Sequence, residues 1–254
     1  MNKNIIYEDD HIIVVQKPAG IATQTARTGQ QDMVSELKNY LAGKPGEPGK
    51  ERKKKEPYLG VVHRLDQPVS GLLVFAKTKE AAANLSRQVT QGQMQKYYYA
   101  VVLGKPDAEE GRLEHFLYKD GRTNQSLVVK EDFPDAKKAI LEYRLIKCLH
   151  AFFDLPGEDM VFAKPPEVSL LEIKLITGRH HQIRVQLSGE GMPILGDGKY
   201  GSERSKLLSR EAGCKSTALC AYKLSLLHPM SKKKMEFGIQ PEEEIFLPFF
   251  SKGI

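Results

Sequence analysis

The sequence predicts an α+β protein whose sheet is mostly antiparallel. Strand-like segments outnumber helical ones, neighbouring strand segments are mostly joined as hairpins, and a few helices are interspersed among them. In chain order, Ile5–Tyr7 and Ile12–Val15 form two short strands around an acidic turn, and Lys17-Pro18-Ala19-Gly20 breaks the second. Asp32–Leu41 sets Met33, Val34, Leu37 and Leu41 at helical spacing. The apolar run Leu72-Leu73-Val74-Phe75-Ala76 reads as a buried strand. Thr78 caps a helix reaching about Val89, with Ala82, Leu85 and Val89 inward. Lys96–Leu103, Arg112–Leu117, Leu127–Lys130, Ala139–Cys148 and Ser169–Ile176 are strands; Thr177-Gly178 and a short helix to about Leu187 follow the last. Leu219–Leu227 and Lys234–Phe237 make a final hairpin around His228-Pro229-Met230-Ser231.

At 254 residues the chain can bury a substantial core. With no internal repeat or composition break, residues 1–254 read as one domain carrying a basic insertion over 43–57. The insertion holds Lys44, Lys50, Arg52, Lys53, Lys54 and Lys55 and no large apolar residue. It reads as a surface loop, either a solubilising insertion or an arm that contacts a polyanion. A net charge of +6 favours a polyanionic partner. Cys148, Cys214 and Cys220 are odd in number and widely spaced, which argues against a disulfide framework or zinc site and suits a reducing cytosol. The N-terminus lacks the apolar core of a signal peptide, and no apolar run approaches the ~20 residues that span a bilayer. A cytoplasmic monomer without a membrane partner is the expectation.

Four segments carry chemistry. In His63-Arg64-Leu65-Asp66-Gln67-Pro68-Val69-Ser70-Gly71, an extended backbone would point Arg64 and Asp66 to one face and His63 and Leu65 to the other. A carboxylate held beside a cation at a rigid sheet rim stays ionised and can serve as a nucleophile. In isolation the pair also fits a plain surface ion pair. In Lys96-Tyr97-Tyr98-Tyr99-Ala100-Val101-Val102, strand alternation puts Tyr98, Ala100 and Val102 on one face. Small Ala100 leaves room for a planar ring to stack on Tyr98, although aromatics in strands are also ordinary core. One of the two tyrosine faces must be partly wet or hydrogen-bonded.

Leu175-Ile176-Thr177-Gly178-Arg179-His180-His181-Gln182-Ile183-Arg184 ends a strand and starts a helix with basic side chains at its N-terminus, an arrangement suited to phosphate. Adjacent histidines without a His-x-x-x-His or glutamate partner do not make a zinc site. Gly196-Asp197-Gly198-Lys199-Tyr200-Gly201 alone is a glycine-rich turn and lacks the P-loop pattern.

Together these segments resemble the RluA-type pseudouridine synthases, which isomerise uridine in structured RNA. The family pattern His-Arg-Leu-Asp-x-x-Thr-Ser-Gly matches His63–Gly71, with Val69 where threonine is usual. Lys-x-Tyr-x-Ala-x-Val matches Lys96–Val102, and Leu-x-Thr-Gly-Arg-x-His-Gln-Ile-Arg matches Leu175–Arg184. Gly-Asp-x-x-Tyr-Gly matches Gly196–Gly201, Lys-Pro-x-Gly matches Lys17–Gly20, and His228-Pro229 falls where the family has it. The resemblance runs from about Ile5 to the C-terminal strands.

It implies a mixed, mostly antiparallel central sheet with flanking helices and an RNA-binding cleft. The implied substrate is ribosomal or transfer RNA, with no organic cofactor and no metal. Asp66 would be the nucleophile, attacking C1′ or removing a ribose proton, with Arg184 as counter-ion. Tyr98 would lie against the uracil and help remove the C5 proton; with a free pKa near ~10, tyrosine is a poor base alone. Arg64 would fill the gap left by a flipped-out base. His63, Lys96, Arg179 and His180 are candidate RNA contacts, as are Lys232–Lys234. The chain resembles the shorter members without an extra N-terminal RNA-binding domain.

Two other classes compete. A non-catalytic RNA-binding or chaperone protein on this fold would have no need of Asp66, Tyr98 and Arg184 together. A glycosidase-like hydrolase usually needs two carboxylates flanking one bond, and only Asp66 stands in such a motif.

Overall fold

The computed structural model describes residues 4–25, 29–43, 56–150 and 166–250. Most of the basic insertion, over 44–55, lies outside them. In chain order the elements are β1 (Ile5–Glu8), β2 (Ile12–Lys17), α1 (Met33–Gly43), β3 (Gly60–Val61), β4 (Ser70–Ala76), α2 (Lys79–Thr90), β5 (Gln95–Leu103), β6 (Glu110–Asp120), β7 (Gln125–Val129), β8 (Lys137–His150), β9 (Glu167–Leu175), α3 (Gln182–Gly189), α4 (Glu203–Glu211), β10 (Leu219–Leu227), β11 (Lys234–Gly238) and α5 (Leu247–Phe250). This is the α+β class that the strand and helix patterns predict. Among the described residues no helix is long and apolar enough to cross a membrane.

The chain divides into two compact units, Met1–Met94 with Lys223–Ile239, and Gln95–Tyr222 with Gln240–Ile254. In the first, β2 pairs antiparallel with β1 and with β4, from Ile12↔Ala76 to Lys17↔Gly71. All seven residues of β4 are buried, as the unbroken apolar run requires. Ile12, Val14, Leu72 and Val74 join Leu85, Leu224 and Leu226 in one core. Each such side chain contributes roughly 1.5–3 kcal/mol by leaving water.

Helix α2 starts where expected, with the Thr78 side chain accepting from the Ala81 N–H at 3.1 Å. Its buried face differs from the prediction: Ala81, Leu85 and Gln88 are buried, while Ala82 and Val89 are only partly so. Gln88 can be buried because its amide replaces a strand partner, donating to the Leu227 carbonyl (2.7 Å) and accepting from the Leu227 N–H (2.8 Å).

In the second unit the strands follow the order β5-β9-β8-β6-β7, all antiparallel. Helix α3 lies against the β6–β8 part, where Leu117, Ala139 and Val185 share a small core with Tyr200 beside it. Helix α4 was not legible in the sequence. Its segment Glu-Arg-Ser-Lys-Leu-Leu-Ser-Arg-Glu offers only Leu207 and Leu208 as large apolar residues, and it buries Ser205, Leu208 and Ser209. Ser202 caps it, accepting from the Ser205 N–H.

Candidate active site

In the first unit the acid segment is held from one side by the chain that follows β2. Lys17 is fully buried, and its ammonium donates to the carbonyls of Pro18 (3.0 Å), Ile21 (2.7 Å) and Gln67 (3.2 Å). Gly20, at φ +92°, adopts a backbone conformation that favours glycine, and its N–H donates to the Gln67 carbonyl at 2.8 Å. The Gln67 amide returns a bond to the Gly20 carbonyl, and Thr23 Oγ1 both donates to the Leu65 carbonyl and accepts from the Leu65 N–H. Asp66 closes a turn through its own carbonyl, which accepts from Val69 N–H. Gly71 then enters β4 at φ +125°, again a glycine conformation.

The acid is therefore presented by a backbone fixed at several points. We expect Lys17→Met to lower stability by about 2 kcal/mol or more, because buried carbonyls lose a charged donor. Chemical denaturation measures this, and an unchanged midpoint would show that the clamp adds nothing.

The side chains of this segment alternate as predicted although residues 62–66 form no regular strand. Leu65 is buried, Arg64 is exposed and Asp66 is half-buried. The Arg64 guanidinium donates to Gln24 Oε1 at 3.1 Å. His63 turns inward, its Nε2 accepting from the Val74 N–H at 3.3 Å. Val69 is buried, so the methyl that stands in place of a hydroxyl lies away from water.

In the second unit Tyr98, Ala100 and Val102 are buried on one face of β5, and Tyr97 and Tyr99 are half-buried on the other. That second face is the partly wet one: Tyr97 Oη donates to Gln95 Oε1, and Tyr99 stacks on Tyr222 at 3.8 Å between centroids. Lys96 shares the face of Tyr98, and burial pushes its ammonium pKa down.

The corner after β9 is built by Gln182. Its Oε1 accepts from Thr177 Oγ1 (2.8 Å) and the Arg179 N–H (2.9 Å), and its amide donates to the Ile140 carbonyl (3.0 Å). Arg179 is exposed, with Nε donating to the Lys138 carbonyl. His180 and His181 stack at 3.7 Å.

Arg184 is 3% exposed and makes a bidentate pair with Asp197, Nε to Oδ2 and Nη2 to Oδ1, both at 2.7 Å. Burial opposes the charge on Asp197. The hydrogen bonds and charge of Arg184, with the N–H groups of Tyr200 and Lys199, outweigh it and hold the carboxyl below its ordinary range. Asp197 is thus the residue whose importance the sequence reading missed. In isolation its motif is a glycine-rich turn, and only the fold brings it to Arg184. Lys17 was missed likewise, as part of a strand break. Among the described residues, no group of three His, Cys, Asp or Glu side chains could hold a metal.

Comparison with known proteins agrees with these motifs. Residues 11–189 match the family model described as RNA pseudouridylate synthase, a span that includes Asp66, Tyr98 and Arg184. Over 250 residues the chain is 33% identical to ribosomal large subunit pseudouridine synthase D of Zymomonas mobilis, covering 96% of this chain and 71% of that protein. It is 31% identical over 232 residues to ribosomal large subunit pseudouridine synthase C of Vibrio cholerae, covering 91% of this chain and 64% of the relative. Among solved structures, human RNA pseudouridylate synthase domain containing 4 superposes with a TM-score of 0.69 at 22% identity, covering 98% of this chain and 92% of that one. That likeness is one of fold.

Proposed function

The chain belongs to the RNA pseudouridylate synthase family, within its RluA-type branch, and from that premise we propose that Asp66, Tyr98 and Arg184 carry its reaction on ribosomal or transfer RNA. The protein is an isomerase that converts uridine to pseudouridine in RNA. The N1–C1′ bond breaks, the uracil turns, C5 bonds to C1′, and the C5 proton is lost while N1 gains one. Asp66 acts on the ribose as nucleophile with Arg184 as its counter-ion. Tyr98 lies against the base and assists removal of the C5 proton; its low exposure suits a ring that meets one base and little water. Arg64, exposed on its clamped segment, takes the place of the flipped base.

Lys96, Arg179 and His180 contact the RNA backbone. We assign His63, turned into β4, to holding the segment instead. The protein works as a monomer in a reducing cytoplasm, and its three free cysteines support the reducing compartment.

The observation that favours ribosomal RNA as the substrate is the 33% identity to a synthase named for the large ribosomal subunit. The test is tritium release from ribosomal and transfer RNA pools, each labelled at uridine C5. Release from one pool identifies the substrate. Free uracil would mean a hydrolase, and salt-sensitive binding without release would mean a binding protein; either overturns the reading.

A further inference from the structure

Tyr200 touches Arg184, its partner Asp197 and the start of α3. Its ring lies under the Arg184 guanidinium, 5.2 Å from centroid to Cζ. Its N–H donates to Asp197 Oδ1 at 3.1 Å, and its carbonyl accepts from Ser188 Oγ at 2.6 Å. Its hydroxyl accepts from the Ser126 N–H at 2.7 Å and lies 2.8 Å from His181 Nδ1. Ser126 comes from β7, 74 residues away in sequence, and is 2% exposed.

His181 is where this network matters. It caps α3 in the left-handed conformation, φ +52° and ψ +24°, without a side-chain capping bond. A non-glycine residue there costs of order 1–3 kcal/mol and persists only when its surroundings hold it. The His181 carbonyl accepts from the Val185 N–H, so its backbone sets the first turn of α3, the turn that carries Arg184.

From this geometry we infer that Tyr200, anchored by Ser126 of β7, is a positioning residue that holds His181 in its strained conformation and thereby sets Arg184. This rests on the role proposed for Arg184 above. Hydrogen-bond logic sharpens it. The His180 carbonyl can only accept, so Ser126 Oγ, 2.7 Å away, gives it its proton. The His180 Nδ1, 2.9 Å from the same oxygen, must then be the donor. On the inferred arrangement the Tyr200 hydroxyl, which accepts from Ser126 N–H, gives its own proton to His181 Nδ1. The two stacked rings would then hold opposite tautomers, Nδ1–H on His180 and Nε2–H on His181.

The experiment joins single-turnover kinetics with imidazole nitrogen-15 spectra of the full chain. Tyr200→Phe keeps the ring and the backbone N–H and removes only the hydroxyl. Its single-turnover rate constant should fall about tenfold or more while the dissociation constant for substrate RNA stays within about twofold. Its spectrum should lose the fixed Nε2–H signature of His181, whereas Ser126→Ala should release His180 alone and slow the reaction less. A full rate in folded Tyr200→Phe, or a loss confined to RNA affinity, overturns the inference. Should that variant fail to fold, the wild-type spectrum still decides, since matching tautomers on the two histidines would overturn it. Absence of turnover by the wild type would instead count against the function itself.

Discussion

Asp66→Ala is expected to release no tritium from RNA labelled at uridine C5 while folding and binding RNA as the wild type does. The backbone around residue 66 is held by groups other than its carboxylate. The Lys17 ammonium holds the Gln67 carbonyl, Thr23 pairs with Leu65, and the turn to Val69 uses the Asp66 main-chain oxygen. Truncation at Cβ leaves all of these in place. It removes the group proposed to act on the ribose, and loss of a nucleophile typically costs at least about 10,000-fold. Single-turnover tritium release measures the rate, and filter binding with thermal melting checks affinity and fold. Retained turnover would place the nucleophile elsewhere.

The second large effect is on stability. Asp197→Asn leaves the Arg184 guanidinium buried opposite a neutral amide, and breaking a buried pair on one side costs roughly 3–5 kcal/mol. Denaturant unfolding measures the loss. The wild-type pair also predicts an acid limb. The folded pKa of Asp197 lies below its unfolded value, so its contribution is fully present above the unfolded pKa of about 3.9 and is lost as pH falls through the folded pKa. Unfolding free energy followed from pH 6 down to about 2 should show that loss in the wild type and a weaker one in Asp197→Asn. Identical acid limbs would show that the pair contributes nothing to folding.

Much of this was legible in one dimension because local physics writes it there. A short unbroken apolar run bounded by turn residues fits a strand covered on both faces, and β4 is buried throughout. Thr78 announces α2 because a short hydroxyl side chain can satisfy an N–H of the first turn. Period-two alternation correctly separated Tyr98 from Tyr97 and Tyr99. The motif residues of the acid segment, the tyrosine strand and the basic corner could be named because each motif is contiguous and the segments together resemble one family.

Tertiary structure decided what depends on partners far away in the chain. Gln88 is buried because a strand end needs its amide, and nothing around it in sequence says so. Helix α4 carries too few apolar residues for its period to show. Lys17 looks like the end of a strand until its ammonium meets a carbonyl 50 residues away. Asp197 and Ser126 are unremarkable in their own segments, and folding brings them to Arg184 and to the histidine stack. Local sequence thus determined which side chains are available and which face of an element they occupy. A polar or charged group can be buried only against a complementary one, and that complement comes from wherever the fold delivers it.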